Sequence, residues 1–382
     1  MDKIVNLSKD IGEQILPTLT AFHALLDENR AVISSVPKKT FQYGDTERHY
    51  LDIYCPPSSG TPGTKAPVLF FIYGGGFTTG DRSRPLAPFD LLYACVGAFF
   101  ALKGFITIIP DYRLAPDFKF PEAARDVLSA INWTISHPSD LVSDSGSSPT
   151  PGPDLDSLFI SGHSAGAVHA ATLLFHPELI PIDSDLRKRI KGLVLISGVY
   201  HIAPGSEWRS LSEAHWGSED SAAQNSVLSL TTAWFNSVSA SGVKPPKILI
   251  AQAQNEPESL NGMNLDYHRV LEWHLGESVE YIEGKGHNHI SIVSALSSGE
   301  GEEWGVRAAD WILGVLSGSG GGDGATGTPG AEILKDAKET DAHVCPKCQQ
   351  RKTRSFTVEI GTQATPSKTY FSCVKCGNKW TD

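Results

Sequence analysis

Two sets of residues have types and spacings suited to chemistry: Ser164 within Gly162-His163-Ser164-Ala165-Gly166, and four cysteines in two Cys-x-x-Cys pairs near the C-terminus. The bare G-x-S-x-G pattern is common; its surroundings make it informative. Leu158-Phe159-Ile160-Ser161 reads as a short buried strand, and Ala165 to Phe175 reads as a helix opening with small side chains. Strand, G-x-S-x-G and helix in that order predict a nucleophile elbow, a tight strained turn that lifts a serine hydroxyl above a sheet edge. The glycines remove side chains that would clash across the turn, and the helix N-terminus faces the charge that develops there.

A serine hydroxyl becomes a good nucleophile when a histidine takes its proton, and that histidine needs a carboxylate to hold its tautomer. In an elbow architecture the partners follow in the order serine, acid, histidine. After the apolar run Lys247–Ala253 come Gln254-Asn255-Glu256-Pro257-Glu258, where Glu256 is preferred and Glu258 is the alternative. A carboxylate in such a loop is a plain solvated charge in most proteins. The segment Gly284-Lys285-Gly286-His287-Asn288-His289-Ile290-Ser291 offers two histidines. His289 is preferred because it precedes a helix and its ring can lean back over the sheet edge; His287 stays open. His163 and His169 are too close in sequence to reach Ser164 as its base and read as structural. Gly74-Gly75-Gly76 follows the buried run Val68–Ile72. Read alone it is a tight turn; beside an elbow it is a source of backbone donors. The N–H groups of Gly75, Gly76 and Ala165 are therefore the candidate oxyanion hole.

Cys345-Pro346-Lys347-Cys348 and Cys373-Val374-Lys375-Cys376 are separated by 24 residues. Four thiolates in two knuckles predict a closed tetrahedral structural Zn²⁺ site formed by Cys345, Cys348, Cys373 and Cys376, in a module that needs its metal to fold. Arg354–Ile360 and Lys368–Ser372 alternate as strands between the knuckles, so the tail is a β-ribbon. The serine chemistry calls for no cofactor.

The chain has 382 residues and a formal net charge of −11. Residues 343–382 hold seven Lys/Arg against Glu359 and Asp382, so everything upstream carries the acidic excess. That argues against nucleic acid as partner of the large domain and leaves it open for the tail. The start MDKIVNLSKDIGEQ lacks the apolar core of a secretory signal, and no run of about 18 apolar residues predicts a membrane span. With four of six cysteines in metal spacing, an intracellular, cytoplasmic protein is expected, with a nuclear location if the ribbon is functional. Residues 1–35 read as a leading helical segment. Strands alternate with helices from Phe41 to Leu316, which predicts a mostly parallel sheet covered on both faces. The polar segment from Tyr200 to about Val243 reads as a cap inserted over the site. The expected divisions are an α/β-hydrolase domain over 1–316, a flexible Gly-rich linker over 317–342 and a zinc ribbon over 343–382. The linker composition makes large contacts between the two folded parts unexpected.

Residues 40–316 resemble the α/β-hydrolase serine esterases with a Gly-Gly-Gly oxyanion loop. Tyr112-Arg113-Leu114-Ala115-Pro116 followed by Phe120-Pro121-Glu122-Ala123 is similar to a run in the hormone-sensitive-lipase-like and feruloyl-esterase-like branches. Gly162-His163-Ser164-Ala165-Gly166-Ala167 with Asn288-His289-Ile290-Ser291 resembles the kynurenine-formamidase and feruloyl-esterase-like side, where the histidine matching His289 is the base and an acid before proline matches Glu256-Pro257. The resemblance implies hydrolysis of a small carboxyl ester or amide, with an aryl formamide as the narrower variant, but carries over no particular substrate. Tyr73 stands where a histidine usually precedes the glycines, and Glu256 where aspartate is commoner. Residues 343–382 resemble the zinc ribbon of transcription elongation factor S and of small RNA polymerase subunits, down to the Cys-Gly-Asn-x-Trp ending at Trp380. That resemblance implies contact with RNA polymerase or nucleic acid. The family's acidic Asp-Glu pair is replaced here by Ala364 and Thr365, so metal-assisted RNA cleavage is not implied. The alternative to a hydrolase is thus a transcription-associated ribbon protein in which the hydrolase part is secondary, or a gene model joining two neighbours.

Overall fold

The structure is a computed structural model that describes residues 1–57, 63–83, 88–143, 150–203, 205–318, 339–359 and 367–381. Ala364, Thr365 and most of the expected linker lie outside the described residues. Eight strands form one sheet: β1 (Lys38–Gln42), β2 (Tyr50–Tyr54), β3 (Lys65–Ile72), β4 (Ile106–Pro110), β5 (Gly152–His163), β6 (Ile190–Ile196), β7 (Lys247–Asn255) and β8 (Glu280–Asn288). Their order is β1-β2-β4-β3-β5-β6-β7-β8. β1 and β2 pair antiparallel, β2 joins β4 antiparallel, and every pairing from β4 to β8 is parallel.

Parallel strands need crossovers, and the helices supply them on both faces. In chain order these are α1 (Ile11–Glu28), α2 (Arg30–Ser35), α3 (Ala94–Leu102), α4 (Glu122–Ser136), α5 (Ala165–Phe175), α6 (Asp185–Arg189), α7 (Arg209–Trp216), α8 (Glu219–Asn225), α9 (Val227–Val238), α10 (Glu258–Leu275), α11 (Ser291–Ser294) and α12 (Glu303–Ser317). Double coverage explains why the central strands read as continuous apolar runs. Phe70, Phe71, Phe105 and Phe159 are fully buried, each contributing about 1.5–3 kcal/mol. Helix α5 is buried at every position, because Ala165, Gly166, Ala167, Ala170 and Ala171 let it lie close on β3, β5 and β6.

Two features differ from the sequence reading. Strand β5 starts at Gly152, six residues ahead of the expected Leu158, and pairs with an extended β3 across a register shift at Pro67/Val68. The expected cap is helical, but only its first part faces the site. Helix α9 packs on α5 and α10 instead.

The C-terminal part forms a second, antiparallel sheet of β9 (Glu339–Thr340), β10 (Thr353–Val358), β11 (Lys368–Cys373) and β12 (Lys379–Thr381), in the order β12-β11-β10-β9. It begins at Glu339, ahead of the expected boundary. Contrary to the expectation from the linker, this sheet rests on the large domain. Tyr370 and Val358 are fully buried and belong to the same apolar cluster as the main core. A polar, glycine-rich composition between two folded parts does not prevent apolar faces at their surfaces from meeting.

Candidate active site

The turn after β5 is held by sterics. Ser164 adopts φ 55° and ψ −121°, strained for a residue with a Cβ, and its N–H donates to the Ile196 carbonyl at 2.8 Å. A Cβ on Gly162 would lie 2.3 Å from the Gly166 carbonyl oxygen, and one on Gly166 would lie 2.0 Å from the Ile72 carbonyl oxygen. Both glycines are therefore required by close backbone approach. The hydroxyl of Ser164 is thereby set at the C-terminal end of a central strand, where open α/β sheets hold their ligands.

Glu256 directly follows β7, and His289 directly follows β8. The structure brings both to Ser164. His289 Nδ1 lies 2.9 and 3.0 Å from the two carboxylate oxygens of Glu256, and its Nε2 lies 2.9 Å from Ser164 Oγ. A carboxylate accepts only, so Nδ1 carries the proton and Nε2 presents its lone pair to the serine hydroxyl. Glu256 is fully buried and His289 nearly so. The alternatives point elsewhere. His287 donates from Nε2 to the Gly301 carbonyl at 2.7 Å and accepts at Nδ1 from Ser291 Oγ at 3.0 Å. Glu258 is exposed at the cavity rim.

His163, read as structural, touches the site directly. Its Nε2–H donates to the His289 carbonyl at 2.9 Å, with the two rings 4.7 Å apart. Burial, followed by the nearby His289, pushes its pKa well below the ordinary histidine value, so this donor stays neutral.

Gly75, Gly76 and Ala165 border the same cavity as Ser164 and His289. The glycine loop is braced from behind by Tyr73. Its hydroxyl donates to Asp111 Oδ1 at 2.8 Å and accepts from Arg48 Nη2 at 2.8 Å, while the Tyr112 hydroxyl donates to the Tyr73 carbonyl at 2.7 Å. Arg82 closes the network through Asp111. Burial, with Tyr112 and Asp111 next, raises the Tyr73 pKa well above its ordinary value, which keeps the phenol a donor. Tyr73 thus braces the loop at the position where the resembling esterases carry histidine. A Cβ on Gly75 would fall 1.9 Å from the Thr79 carbonyl oxygen, so the loop tolerates no side chain there.

The cavity over the serine measures about 800 Å³. Val199, Trp208 and Leu211, from within and just before the expected cap, line it together with Ile11, Ile15 and Leu19 of α1, Leu92 and Val293. Sequence reasoning left α1 without a role. Its signal was partial: Leu19, Phe22 and Leu26 form a buried stripe, while Ile15 stays about 42% exposed. Two contacts tie α1 to the site, Asn288 Nδ2 to Thr18 Oγ1 at 2.8 Å and Gln14 Nε2 to the Asn255 carbonyl at 3.4 Å.

In the second sheet the knuckles are near-copies. Cys345 N–H donates to the Gln350 carbonyl and Cys373 N–H to the Asn378 carbonyl, each at 2.8 Å. Gln349 and Gly377, one residue past the second cysteine of each pair, both have positive φ. The four Sγ atoms lie within 4.8 Å of one another, with Cys345–Cys376 at 3.7 Å and Cys348–Cys373 at 3.5 Å. A tetrahedral zinc with Zn–S bonds of about 2.3 Å needs sulfurs roughly 3.8 Å apart, so this donor set fits zinc. Among the described residues no helix is long and apolar enough to cross a membrane.

Comparison with known proteins agrees with both parts. Residues 69–292 match the family described as alpha/beta hydrolase fold, and residues 343–381 match the transcription factor S-II (TFIIS) zinc ribbon. A probable carboxylesterase of Arabidopsis thaliana is 28% identical over 67% of this chain and 80% of its own length. The kynurenine formamidase of Danio rerio is 26% identical over 66% of this chain and 75% of its own. Among solved structures, a thermophilic esterase from Thermogutta terrifontis shares the fold with a TM-score of 0.52 at 19% identity, covering 77% of this chain and 96% of its own. With the elbow, the parallel sheet and the four-cysteine ribbon all in place, the chain belongs to the alpha/beta hydrolase fold family, in its esterase-like form, and carries a TFIIS-type zinc ribbon at its C-terminus.

Proposed function

We propose that the protein is a serine hydrolase of small carboxyl esters, working through an acyl-enzyme with Ser164 as nucleophile, His289 as base and Glu256 as the orienting acid. The observation that carries this reading is the single line from the Ser164 hydroxyl through both nitrogens of His289 to the buried Glu256. As Oγ attacks the carbonyl carbon, its proton passes to His289 Nε2. The imidazolium so formed is stabilised by Glu256, which keeps its charge. The carbonyl oxygen becomes an oxyanion facing the N–H groups of Gly75, Gly76 and Ala165. On collapse the C–O bond breaks and the leaving alcohol takes the proton from Nε2. Water then repeats the cycle, attacking the acyl-enzyme as His289 removes its proton, and free acid and Ser164 are released.

The apolar walls favour an acyl or alcohol group with little charge, and about 800 Å³ admits an aromatic or medium-length chain. An aryl formamide is the narrower variant, supported by the kynurenine formamidase relative and by the Gly-His-Ser-Ala-Gly-Ala run. In the ribbon, Cys345, Cys348, Cys373 and Cys376 hold a structural zinc that takes no part in the hydrolysis. The match to the TFIIS ribbon favours a second reading for this part, contact with RNA polymerase or nucleic acid. The deciding experiment is fluorophosphonate labelling of the full chain with peptide mapping, together with turnover of p-nitrophenyl esters and an aryl formamide. Label on Ser164 and ester turnover are expected; an unlabelled, inactive chain overturns the reading.

A further inference from the structure

The ribbon packs against the large domain. In the last turn of α10, Trp273 donates from Nε1 to the Phe371 carbonyl of β11 at 3.0 Å, and its ring meets Tyr370 edge-on at 5.2 Å. The Tyr370 hydroxyl lies 3.2 Å from Thr232 Oγ1 on α9, and Lys379 Nζ donates to the Trp273 carbonyl. Three polar contacts thus cross between the two parts, each joining a polar group of the hydrolase to one of the ribbon. Around them Tyr370 is fully buried and Trp273 is 7% exposed. An undocked ribbon would leave both aromatic surfaces in water, at a cost that grows with the apolar area exposed.

The residues that make this contact are tied to the metal knuckles on one side and to the site on the other. Tyr370 lies three residues before Cys373 on β11, so whatever fixes that cysteine also fixes the strand that presents the ring. Helix α10 spans Glu258 to Leu275, with Trp273 in its last turn and Glu256 just before its first. It also anchors the cavity wall, since Trp208 Nε1 donates to Ser259 Oγ at 3.1 Å.

We infer that the ribbon is a docked structural part of the hydrolase, occupying the surface formed by α9 and the C-terminal turn of α10, and that metal in the four-cysteine site stabilises the hydrolase through this contact. Only the part concerning metal rests on the zinc reading of the four cysteines. The docking itself rests on Tyr370, Trp273 and Thr232. Binding that favours one folded arrangement stabilises everything coupled to it, and the coupling is reciprocal.

The test uses the full chain, with zinc content measured, and follows hydrogen exchange of residues 227–238 and 263–275 and the thermal midpoint of the hydrolase, with and without a strong zinc chelator. On metal removal, exchange in both segments is expected to rise roughly tenfold, and the midpoint to fall by roughly 3–6 °C. The paired variant Thr232→Val/Trp273→Phe keeps an aromatic ring facing Tyr370 but removes two hydrogen-bonding groups of the contact. It is expected to retain its zinc, to expose residues 367–381 to faster exchange, and to show a smaller midpoint shift on chelation. Ribbon unfolding on chelation with unchanged exchange in α9 and α10 overturns the metal coupling. A chain that folds its ribbon without metal overturns the zinc reading instead. Exchange of residues 367–381 identical in the variant and the parent overturns the docking.

Discussion

The molecule contains two sites built on opposite principles. At Ser164 the geometry is imposed by the backbone: a residue held at φ 55°, two glycines that admit no Cβ, and acid and histidine each delivered by the end of a separate buried strand. A wide apolar core supports every part of it. In the ribbon three of the four cysteines lie in loops and turns and only Cys373 ends a strand; few side chains are buried there, and Tyr370, the largest of them, is packed against the neighbouring domain. One site is rigid because its scaffold is; the other should become rigid when a metal joins its knuckles. The difference teaches where each will fail. The first should lose chemistry long before it loses its fold, and the second should lose its fold as soon as it loses its metal.

The largest expected effect separates the two histidines beside the first site. Removing a residue that acts as a unit with the nucleophile costs on the order of 10⁴–10⁶ in turnover. Ser164→Ala and His289→Ala should both fall in that range, and Glu256→Gln should lose less, roughly 10³–10⁴, since it alters tautomer and charge rather than the reacting atom. His287→Ala should cost about tenfold or less, because its partners are Gly301 and Ser291. Steady-state turnover of an aryl ester checks all four, with circular dichroism to confirm folding. A larger loss at His287 than at His289 would move the base to His287.

Much of this was legible in the chain because it is local. G-x-S-x-G is a statement about contacts among five residues and the strand beside them, and two Cys-x-x-Cys pairs carry their own geometry. The strand series was legible because parallel strands covered on both faces must be continuously apolar. Local context and family resemblance favour Glu256 and His289, but closing the choice against Glu258 and His287 requires knowing how two loops 33 residues apart face each other, which no local pattern contains. Three features depend wholly on long-range packing. They are α1 as a cavity wall, the Tyr73–Asp111–Arg48 brace behind the glycine loop, and the seating of Tyr370 against Trp273.

The steric half of the comparison can be sharpened at Gly166. Alanine there would place its Cβ 2.0 Å from the Ile72 carbonyl oxygen and 2.5 Å from that of Tyr73, both backbone atoms of a fully buried strand end. Neither α5 nor β3 can give way without opening the core, so Gly166→Ala should destabilise by about 3 kcal/mol, in the upper part of the range for overpacking. Chemical denaturation reads this directly. Gly262→Ala, on α10 with nothing within 4 Å of the new Cβ, is the control and should change stability by no more than about 1 kcal/mol, in the stabilising direction. Equal effects at the two positions would remove the argument that backbone approach holds the elbow.

The smallest effect expected concerns the pH range over which the rigid scaffold stays folded. His169 lies inside the protein against Phe77, Tyr112 and His215, and burial, partly opposed by Asp126, pushes its pKa down to about 3. Its unfolded value is near 6.5. Because the folded value is the lower one, the unfolded chain binds more protons between these limits. The stabilisation is therefore fully present above about pH 6.5 and is lost as pH falls towards 3, at about 1.4 kcal/mol per pH unit for this one group. His163, His215 and His274 are depressed in the same direction by burial, so the parent's stability should fall steeply below pH 6. Replacing His169 with methionine keeps similar bulk and removes one titrating group. His169→Met should flatten the dependence between pH 6 and 5 by about 1.4 kcal/mol per unit, whatever it does to stability at pH 8. Denaturant midpoints at several pH values measure the slope. Parallel curves for parent and variant would mean that His169 is protonated in the folded protein, and that the core behind the elbow admits water.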